Sequence, residues 1–305
     1  MSPVQPVGVL FMAHGAAEDP ADLAAFYAHI RHGRPPVPAV LEELRRRYAA
    51  IGGRSPLPAL TQRLGERVAA ALEARSPGGY RLAVGFLHTP PFIAQAAESL
   101  AGLPLVVGLA LAPHYNRFAY EEGYRPAAEA ALAGTGSRLH LIPGWGGDPG
   151  YVRWLADALR PLWAAAPSGS RVYFSAHSLP ARYLAAGDPY PQQLAEGAAA
   201  VAAAAGLPAG SWDICYQSRG RTGEPWAGPD VLEILEQEAG RGTPQVILCP
   251  HGFVADHLEV LYDLDIEAHG RARALGLELV RTPMPNDDPA FAGALADLVA
   301  ATAAV

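Results

Sequence analysis

Short apolar runs rich in Val, Leu and Ile alternate along the chain with longer segments of helical periodicity. The runs are mostly continuous, which is typical of strands that are covered on both faces. They predict strands at residues 6–13, 81–87, 105–112, 138–143, 171–176, 211–216, 245–249 and 277–281. The segments between them predict helices at 37–50, 60–75, 91–101, 121–134, 148–165, 190–205, 229–239, 253–275 and 288–302. Strands that alternate with helices indicate an α/β fold with a parallel, doubly wound sheet.

The strands divide into two sets of four whose ends are alike. The first strand of each set ends in Ala-His, at His14 and His177, and the third ends in Pro-His, at His114 and His251. Ligands of open parallel sheets bind beyond the carboxyl ends of the strands. We therefore expect all four histidines to line a cleft between two similar lobes.

The repeat also predicts the division of the chain. We place the first lobe at residues 1–145 and the second lobe, which carries the chemistry, at 146–286. The last helix, within residues 287–305, is expected to pack back on the first lobe.

A row of acidic residues follows the third strand of the second set. Glu259, Asp263 and Glu267 are spaced four residues apart in the helix predicted at 253–275, so they share one helix face, and Asp256 adds an acid one turn earlier. A solvated acidic face is the ordinary explanation of such a row. However, the flanking residues are bulky and apolar, and a row of carboxylates beside a cleft suits a divalent cation.

His177 is the second candidate metal ligand. A lone histidine is more often structural, but this one lies in a turn of small residues after a strand, where a ligand can approach closely. Neutral imidazole is a good ligand for Fe(II), and with a carboxylate it would leave coordination positions open.

Basic residues of the first lobe are candidates for binding an anionic ligand. They are concentrated at residues 29–34 and 45–47. Their guanidinium groups could pair with substrate carboxylates. The second cluster could equally be ordinary surface charge, because Glu42 and Glu43 lie within one helical turn of it.

Composition narrows the class of protein. The chain has 305 residues, 50% of them hydrophobic, and a formal net charge of −7. This charge disfavours nucleic acid as a partner, and the chain has no uncharged apolar run of the length that spans a membrane. No signal peptide is apparent, so we expect a cytoplasmic protein. Cys215 and Cys249 lie in apolar stretches and are expected to be buried thiols rather than part of a disulfide framework.

Several motifs in one order resemble the ferrochelatase family, and the resemblance runs nearly the whole chain. The chain is most similar to the soluble bacterial type that acts on coproporphyrin III. The segments that carry the resemblance are His29–Arg34, Arg47–Leu57, Leu111–His114, Ser175–Pro180, Gly187–Tyr190, Tyr216–Arg219 and Gly252–Asp263. The resemblance implies two flavodoxin-like, chelatase-type lobes, each with a four-stranded parallel sheet, that hold the porphyrin in the cleft between them.

The resemblance also implies roles for single residues. It places the Fe(II) ligands at His177 and Glu259, and it continues the acidic row through Asp263 and Glu267 as an outer cation site or path. The positions that match porphyrin contacts of the family are His14, Arg31, Arg47, Tyr48, Ser55 and Tyr124. One position departs from the family, because His14 stands where soluble bacterial members usually carry a tyrosine that can reach the iron.

The expected activity is therefore the insertion of Fe(II), as a substrate, into a porphyrin in haem biosynthesis. No permanently bound cofactor is expected, although Mg²⁺ or another divalent cation could occupy the outer acidic site. Porphyrin and haem are the expected ligands, and a monomer with transient haem-pathway partners is the expected state. Three alternatives stay open: a chelatase for another metal and tetrapyrrole, a non-catalytic haem carrier, and a two-lobe solute-binding protein.

Overall fold

The computed structural model describes residues 5–220 and 223–304, so residues 1–4, 221–222 and 305 of the predicted lobes and last helix lie outside it. It contains two parallel sheets of four strands, as predicted. The first sheet consists of β1 (Val7–Ala13), β2 (Tyr80–Phe86), β3 (Leu105–Ala110) and β4 (Arg138–Ile142) in the order β2-β1-β3-β4. The second consists of β5 (Arg171–His177), β6 (Trp212–Gln217), β7 (Gln245–Cys249) and β8 (Glu278–Arg281) in the order β6-β5-β7-β8.

The order of each sheet reverses at its first strand. β1 lies between β2 and β3, and β5 lies between β6 and β7, so the chain leaves these strands toward opposite sides of each sheet. Such a switch point opens a crevice at the carboxyl ends of the strands. The two crevices are therefore expected where β1 and β5 end.

Helices cover the sheets and agree with most of the predicted segments. Their bounds are α1 (Leu23–Ile30), α2 (Pro38–Ala50), α3 (Leu57–Arg75), α4 (Ile93–Glu98), α5 (Arg117–Ala119), α6 (Arg125–Leu132), α7 (Pro149–Ala165), α8 (Ala181–Ala185), α9 (Tyr190–Ala205), α10 (Val231–Arg241), α11 (His269–Leu275) and α12 (Pro289–Ala303). A 3-10 turn (Pro20–Asp22) precedes α1, and two segments, Tyr120–Tyr124 and Glu259–Ala268, are π-helical. The sequence pattern did not predict α1, α5 or α8, which are short.

One predicted helix, at residues 253–275, is wrong at its start. Residues 253–257 form an irregular loop, and the helix begins only at Leu258. The loop is tied to Asn286, whose side chain accepts a hydrogen bond from the Asp256 amide at 2.8 Å and whose amide donates to the Val254 carbonyl at 2.8 Å. Asp256 therefore does not extend the acidic row, and its carboxylate pairs with Arg281 at 3.0 Å.

One of the buried apolar clusters spans both sheets. Phe11 and Leu109 of the first sheet and Phe174 and Ile247 of the second belong to the same buried cluster. The helix α12 contributes to it and packs against both α3 and α7. Because the core is shared, the division of the chain at residue 145 stays a prediction.

Three further observations complete the fold. Cys215 and Cys249 are buried in their strands, as predicted. Within residues 5–220 and 223–304, no helix is both long enough and apolar enough to cross a membrane. The edge strand β4 differs from the predicted pattern, because its exposed and covered residues alternate where the sheet is open to solvent on one side.

A close backbone contact fixes the end of β5 against the loop that follows β7. The Gly252 amide donates to the Ser175 carbonyl at 3.1 Å, and a Cβ atom at Gly252 would lie only 2.5 Å from the Cβ of Ala176. Only glycine fits this contact without a shift of the backbone. The contact therefore sets the distance between β5 and the segment that carries the acidic row.

We expect Gly252→Ala to lower the free energy of unfolding by about 1–3 kcal/mol, because the added methyl group overpacks a rigid contact. Gly270→Ala is the matched control. It lies in α11 with open space around the new Cβ and should raise stability by up to about 1 kcal/mol through helix propensity. Urea denaturation measures both changes, and equal stability of Gly252→Ala and the wild type would contradict the packing argument.

Candidate functional site

The two central strands place a histidine at each side of the cleft. His14 directly follows β1, and His177 is the last residue of β5. Both line a cavity of about 350 Å³ that lies between the lobes, a volume typical of small-molecule sites. Gly15 turns the chain beside His14 with a φ of +87°, and a Cβ atom at this position would lie only 2.4 Å from the Thr89 hydroxyl oxygen.

Glu259 brings a carboxylate to the same cavity and faces His177. It is the first residue of the π-helical segment, and its Oε1 lies 3.5 Å from Nε2 of His177. Its second oxygen lies 3.4 Å from Nε2 of His257, and its carbonyl accepts a hydrogen bond from Nε2 of Gln217 at 3.1 Å. About a third of the His177 and Glu259 side chains is exposed, toward the cleft. The predicted pair is therefore brought together although its members are 82 positions apart in the sequence.

Backbone carbonyls set the tautomers of the two facing histidines. Nδ1 of His177 lies 2.6 Å from the Ser178 carbonyl oxygen, and Nδ1 of His14 lies 3.1 Å from that of Gly15. A carbonyl only accepts, so the contacts assign the proton of each ring to Nδ1. Nε2 of each histidine is then available to bind a proton or a metal ion, the arrangement common in metal-ligating histidines.

The His177–Glu259 pair is ionised near neutral pH. Burial lowers the pKa of His177, but the Glu259 carboxylate outweighs it and raises this pKa to about 9. Burial would raise the pKa of Glu259, but the imidazoles of His177 and His257 hold it well below its usual range. His14 behaves differently, because burial lowers its pKa and keeps its imidazole neutral.

Three other predicted residues line the cavity with this pair. Tyr48 of α2, Ser55 before α3 and Tyr124 of the first π-helical segment are all buried. They come from the first lobe and therefore face the metal-binding side of the second lobe across the cavity. Arg31 lies at the edge, over the ring of Tyr27, which also lines the cavity.

The other two predicted metal ligands, Asp263 and Glu267, do not form a cation site together. Asp263 is buried and paired with Arg47, whose Nη1 lies 2.9 Å from its Oδ1. Glu267 is exposed. Across residues 5–220 and 223–304, no group of three or more His, Cys, Asp or Glu side chains is placed to hold a metal ion. Arg45 and Arg46, the neighbours of Arg47, pair instead with Glu42 and Glu43 on the exposed side of α2.

The strand-end histidines do not all line the cleft, so that expectation is wrong for His251. His114 lines the cavity, whereas His251 is buried behind it, with ring nitrogens 3.3 Å and 3.2 Å from the carbonyl oxygens of Ser175 and Leu194. Burial lowers the pKa of His251 to about 4, so its neutral ring donates to only one of these carbonyls. Both nitrogens nevertheless face the backbone rather than the cavity, which makes His251 a structural residue. The sequence alone could not distinguish the two because both follow a strand-ending proline.

Sequence reasoning missed two groups of histidines. His257 holds the second oxygen of Glu259, and its position two residues earlier in the same motif was the available signal. His88 packs beside His14, with ring centroids 4.6 Å apart, and its Nδ1 lies 3.0 Å from Nδ1 of His29. His88 follows β2, so its position after a strand could have marked it.

Comparison with known proteins identifies the family that carries this arrangement. The family model described as Ferrochelatase matches residues 6–303. The chain belongs to the ferrochelatase family. It is an enzyme of this type, which inserts Fe(II) into a porphyrin in haem biosynthesis.

Relatives match over nearly their whole length. A ferrochelatase of Herpetosiphon aurantiacus is 40% identical over 299 residues, which cover 95% of this chain and 97% of the relative. A coproporphyrin III ferrochelatase of Geobacillus kaustophilus is 39% identical over 300 residues, which cover 96% of this chain and 94% of the relative.

Two solved structures share the fold of this chain at low sequence identity. SirB from Bacillus subtilis with Fe3+ superimposes with a TM-score of 0.58 at 13% identity, covering 98% of this chain and 96% of that chain. CbiX, described as the terminal enzyme of sirohaem biosynthesis in denitrifying bacteria, gives 0.52 at 19% identity and covers 96% and 98% of the two chains.

The electrostatics of the pair generate a direct prediction for Glu259→Gln. The wild-type His177 ring should titrate at about 9, and the variant should titrate below the ordinary value of about 6.5, because burial remains and the carboxylate is lost. Stabilisation by the charged pair is complete below about pH 6.5 and is lost as the pH rises through 9. NMR of ¹⁵N-histidine-labelled protein measures both titrations.

Glu267→Gln is the matched control for this titration. Glu267 lies on the same helical segment but is exposed, so its removal should leave the His177 midpoint near 9. A midpoint that stays near 9 in Glu259→Gln would show that another group controls the charge of His177.

Proposed function

We propose that this ferrochelatase uses His177 and Glu259 to deliver Fe(II) to coproporphyrin III held in the cleft. The observation that carries the proposal is the approach of Nε2 of His177 to Glu259 at the wall of an interlobe cavity. An imidazole and a carboxylate bind Fe(II) less firmly than thiolates would, which suits a metal that must leave as part of the reaction.

Metal binding at this pair is an exchange of a proton for iron. His177 is protonated in the ion pair with Glu259, so Fe(II) binding to Nε2 must release that proton. Iron affinity should therefore rise with pH up to about 9. The carboxylate of Glu259 stays ionised throughout and compensates the charge of the cation.

Transfer of iron to the ring balances the two protons that the ring loses. A free-base porphyrin carries two pyrrole N–H groups, and both protons must leave as Fe(II) enters. When the iron moves to the ring nitrogens, Nε2 of His177 and the oxygens of Glu259 regain their lone pairs. Nε2 of His177 can then accept the two pyrrole protons in turn and pass each to solvent through the open side of the cleft, while Glu259 stays ionised.

His14 would act on the side of the ring that faces away from His177. Burial lowers its pKa, so its imidazole is neutral and its Nε2 is a potential axial ligand for the iron of the product. The tautomer set by the Gly15 carbonyl favours this role. Tyr48, Ser55 and Tyr124 would contact the ring on the same side.

Arg31 is the candidate partner for a carboxylate of the ring. Its Nε is buried and has no hydrogen-bond partner among the residues that the structure describes. An unsatisfied buried donor is unfavourable, so a carboxylate at this position would stabilise it. Coproporphyrin III carries four carboxylates and protoporphyrin IX two, which favours the former as the substrate of a cleft with basic residues at its edge.

We also propose that the enzyme acts in the cytoplasm as a monomer that meets haem-pathway partners only transiently. The two buried, unpaired thiols support a reducing compartment. An outer divalent cation, Mg²⁺ or another, would bind through Glu267 and, once Arg47 has left it, through Asp263.

The central prediction concerns His177→Ala. It removes the nitrogen that binds iron and accepts a proton, so Fe(II) insertion should fall at least about 100-fold while porphyrin binding remains. A continuous insertion assay and a porphyrin fluorescence titration measure the two properties separately. His140→Ala is the control and should insert iron normally, because His140 is an exposed histidine in the middle of β4. Normal turnover by His177→Ala would refute the assignment.

Arg31→Met should raise the KM for coproporphyrin III by about tenfold and leave kcat nearly unchanged, because only a binding contact is lost. The effect on protoporphyrin IX should be smaller. Arg45→Met, whose guanidinium pairs with Glu42 on the exposed side of α2, is the control. Steady-state kinetics with both porphyrins test this, and an equal KM change for both rings would contradict the carboxylate assignment.

A further inference from the structure

Each of the two innermost carboxylates of the acidic row is already held by a positive charge. Glu259 faces the imidazolium of His177, and Asp263 receives a hydrogen bond from the guanidinium of Arg47. A divalent cation that approaches Glu259 along the row must therefore displace a cation at Asp263 first. The Arg47–Asp263 pair is consequently an obstacle on the path as well as an ion pair.

This pair joins the two lobes and is shielded from water. Arg47 comes from α2 of the first lobe and Asp263 from the second π-helical segment, with 20% and 6% of the side chains exposed. The other oxygen of Asp263 accepts a hydrogen bond from the Ser218 hydroxyl at 2.5 Å, so both carboxylate oxygens are engaged. Removal of one partner of such a pair leaves a buried charge without compensation, which costs more than the loss of an exposed surface salt bridge.

Arg47 has alternative partners that would let it move without being left unpaired. Its Nε lies 3.1 Å from Glu43 on the same helix, and its guanidinium carbon lies 4.6 Å from the centroid of the Tyr262 ring. These contacts anchor the side chain at the edge of the cleft. A guanidinium presents five donors, so it can exchange one carboxylate for another at little cost.

The pair lies next to residues that line the cavity. Leu44 and Tyr48, which flank Arg47 on α2, both line the cavity, and so does Glu259, four residues before Asp263. The carboxylates of a ring seated in this cavity would extend toward its edge, where Arg47 lies. Arg47 thus lies between the carboxylates of the porphyrin and the path by which the metal ion would reach Glu259.

We propose that the Arg47–Asp263 pair is a gate that couples porphyrin binding to metal binding. A carboxylate of the incoming ring draws the Arg47 guanidinium away from Asp263. The freed carboxylate, beside Glu259 and largely buried, then accepts a divalent cation and passes it to the His177–Glu259 pair. This coupling rests on the proposed function, since it assumes that the ring occupies the cleft and that metal arrives along the acidic row.

The gate has a thermodynamic consequence that is independent of turnover. A buried carboxylate without a positively charged partner is unfavourable. When the ring draws Arg47 away from Asp263, the affinity of Asp263 for a divalent cation therefore rises. Linkage requires that the cation raise the affinity for the ring by the same factor. Without a ring, Arg47 keeps the path closed, and the enzyme does not retain iron that it cannot insert.

The test measures Co(II) affinity by calorimetry with and without nickel-loaded coproporphyrin III. This ring carries all four carboxylates, and its occupied nitrogens cannot take a second metal. In the wild type, the ring should raise the Co(II) affinity by about tenfold. In Arg47→Met, the affinity should already be raised without the ring, and the ring should change it by less than about twofold.

Arg46→Met is the matched control for loss of charge. Arg46 shares Glu43 and the Tyr262 ring with Arg47 but pairs with Glu43 on the exposed side of the helix. It should retain the tenfold coupling of the wild type. Asp263→Asn removes the negative charge of the gate and should show both weak Co(II) binding and no coupling, with a far-ultraviolet circular dichroism spectrum unchanged from the wild type.

Two outcomes would overturn the gate: no coupling in the wild type, or undiminished coupling in Arg47→Met. Either result, with normal Fe(II) insertion by the wild type and none by His177→Ala, would leave the proposed function standing. Normal insertion by His177→Ala would instead refute the function itself, so the two failures are distinguishable.

Discussion

The site depends on one contact, in which the imidazole of His177 lies 3.5 Å from the carboxylate of Glu259. His177 is fixed by the end of β5, and Glu259 by the loop after β7 and the π-helical segment that it begins. These two strands are neighbours in the second sheet, and Gly252 packs directly on Ala176 at their junction. The backbone therefore sets the distance between the two side chains, and neither has to be drawn into position by the metal.

This arrangement solves the problem of a metal that is a substrate rather than a resident cofactor. The ligands must be ionised or deprotonated to take iron, yet they must give it up to the ring. The His177 proton and the Arg47 guanidinium each occupy a ligand in the absence of iron. In our account, metal entry displaces both of them, so weak retention of iron is a property of the ion pairs and needs no unfavourable geometry.

The fold and the central pair were predictable from the sequence because they depend on local patterns. Continuous apolar runs gave the eight strands, and the repeated strand ends marked His14 and His177. The resemblance to a family then joined His177 to Glu259. The start of the acidic helix was not predictable, because residues 253–257 are held by Asn286, which lies beyond β8 in the sequence.

The pairing of Arg47 with Asp263 was beyond sequence reasoning for the same physical reason. These residues belong to different lobes, and each had been assigned a separate role, one toward the ring and the other toward the metal. Only the packing of α2 on the second π-helical segment places them 2.9 Å apart. Likewise, the burial of His251 depends on carbonyl groups of β5 and α9, which a strand-end motif does not reveal.

An anomalous difference map from anaerobic crystals soaked with Fe(II) tests the central claim most directly. The account predicts a single iron peak between Nε2 of His177 and the carboxylate of Glu259, at about 2.0–2.2 Å from each, as for other first-row metals bound by imidazole and carboxylate. An iron peak at His29 and His88, with none beside His177, would contradict it.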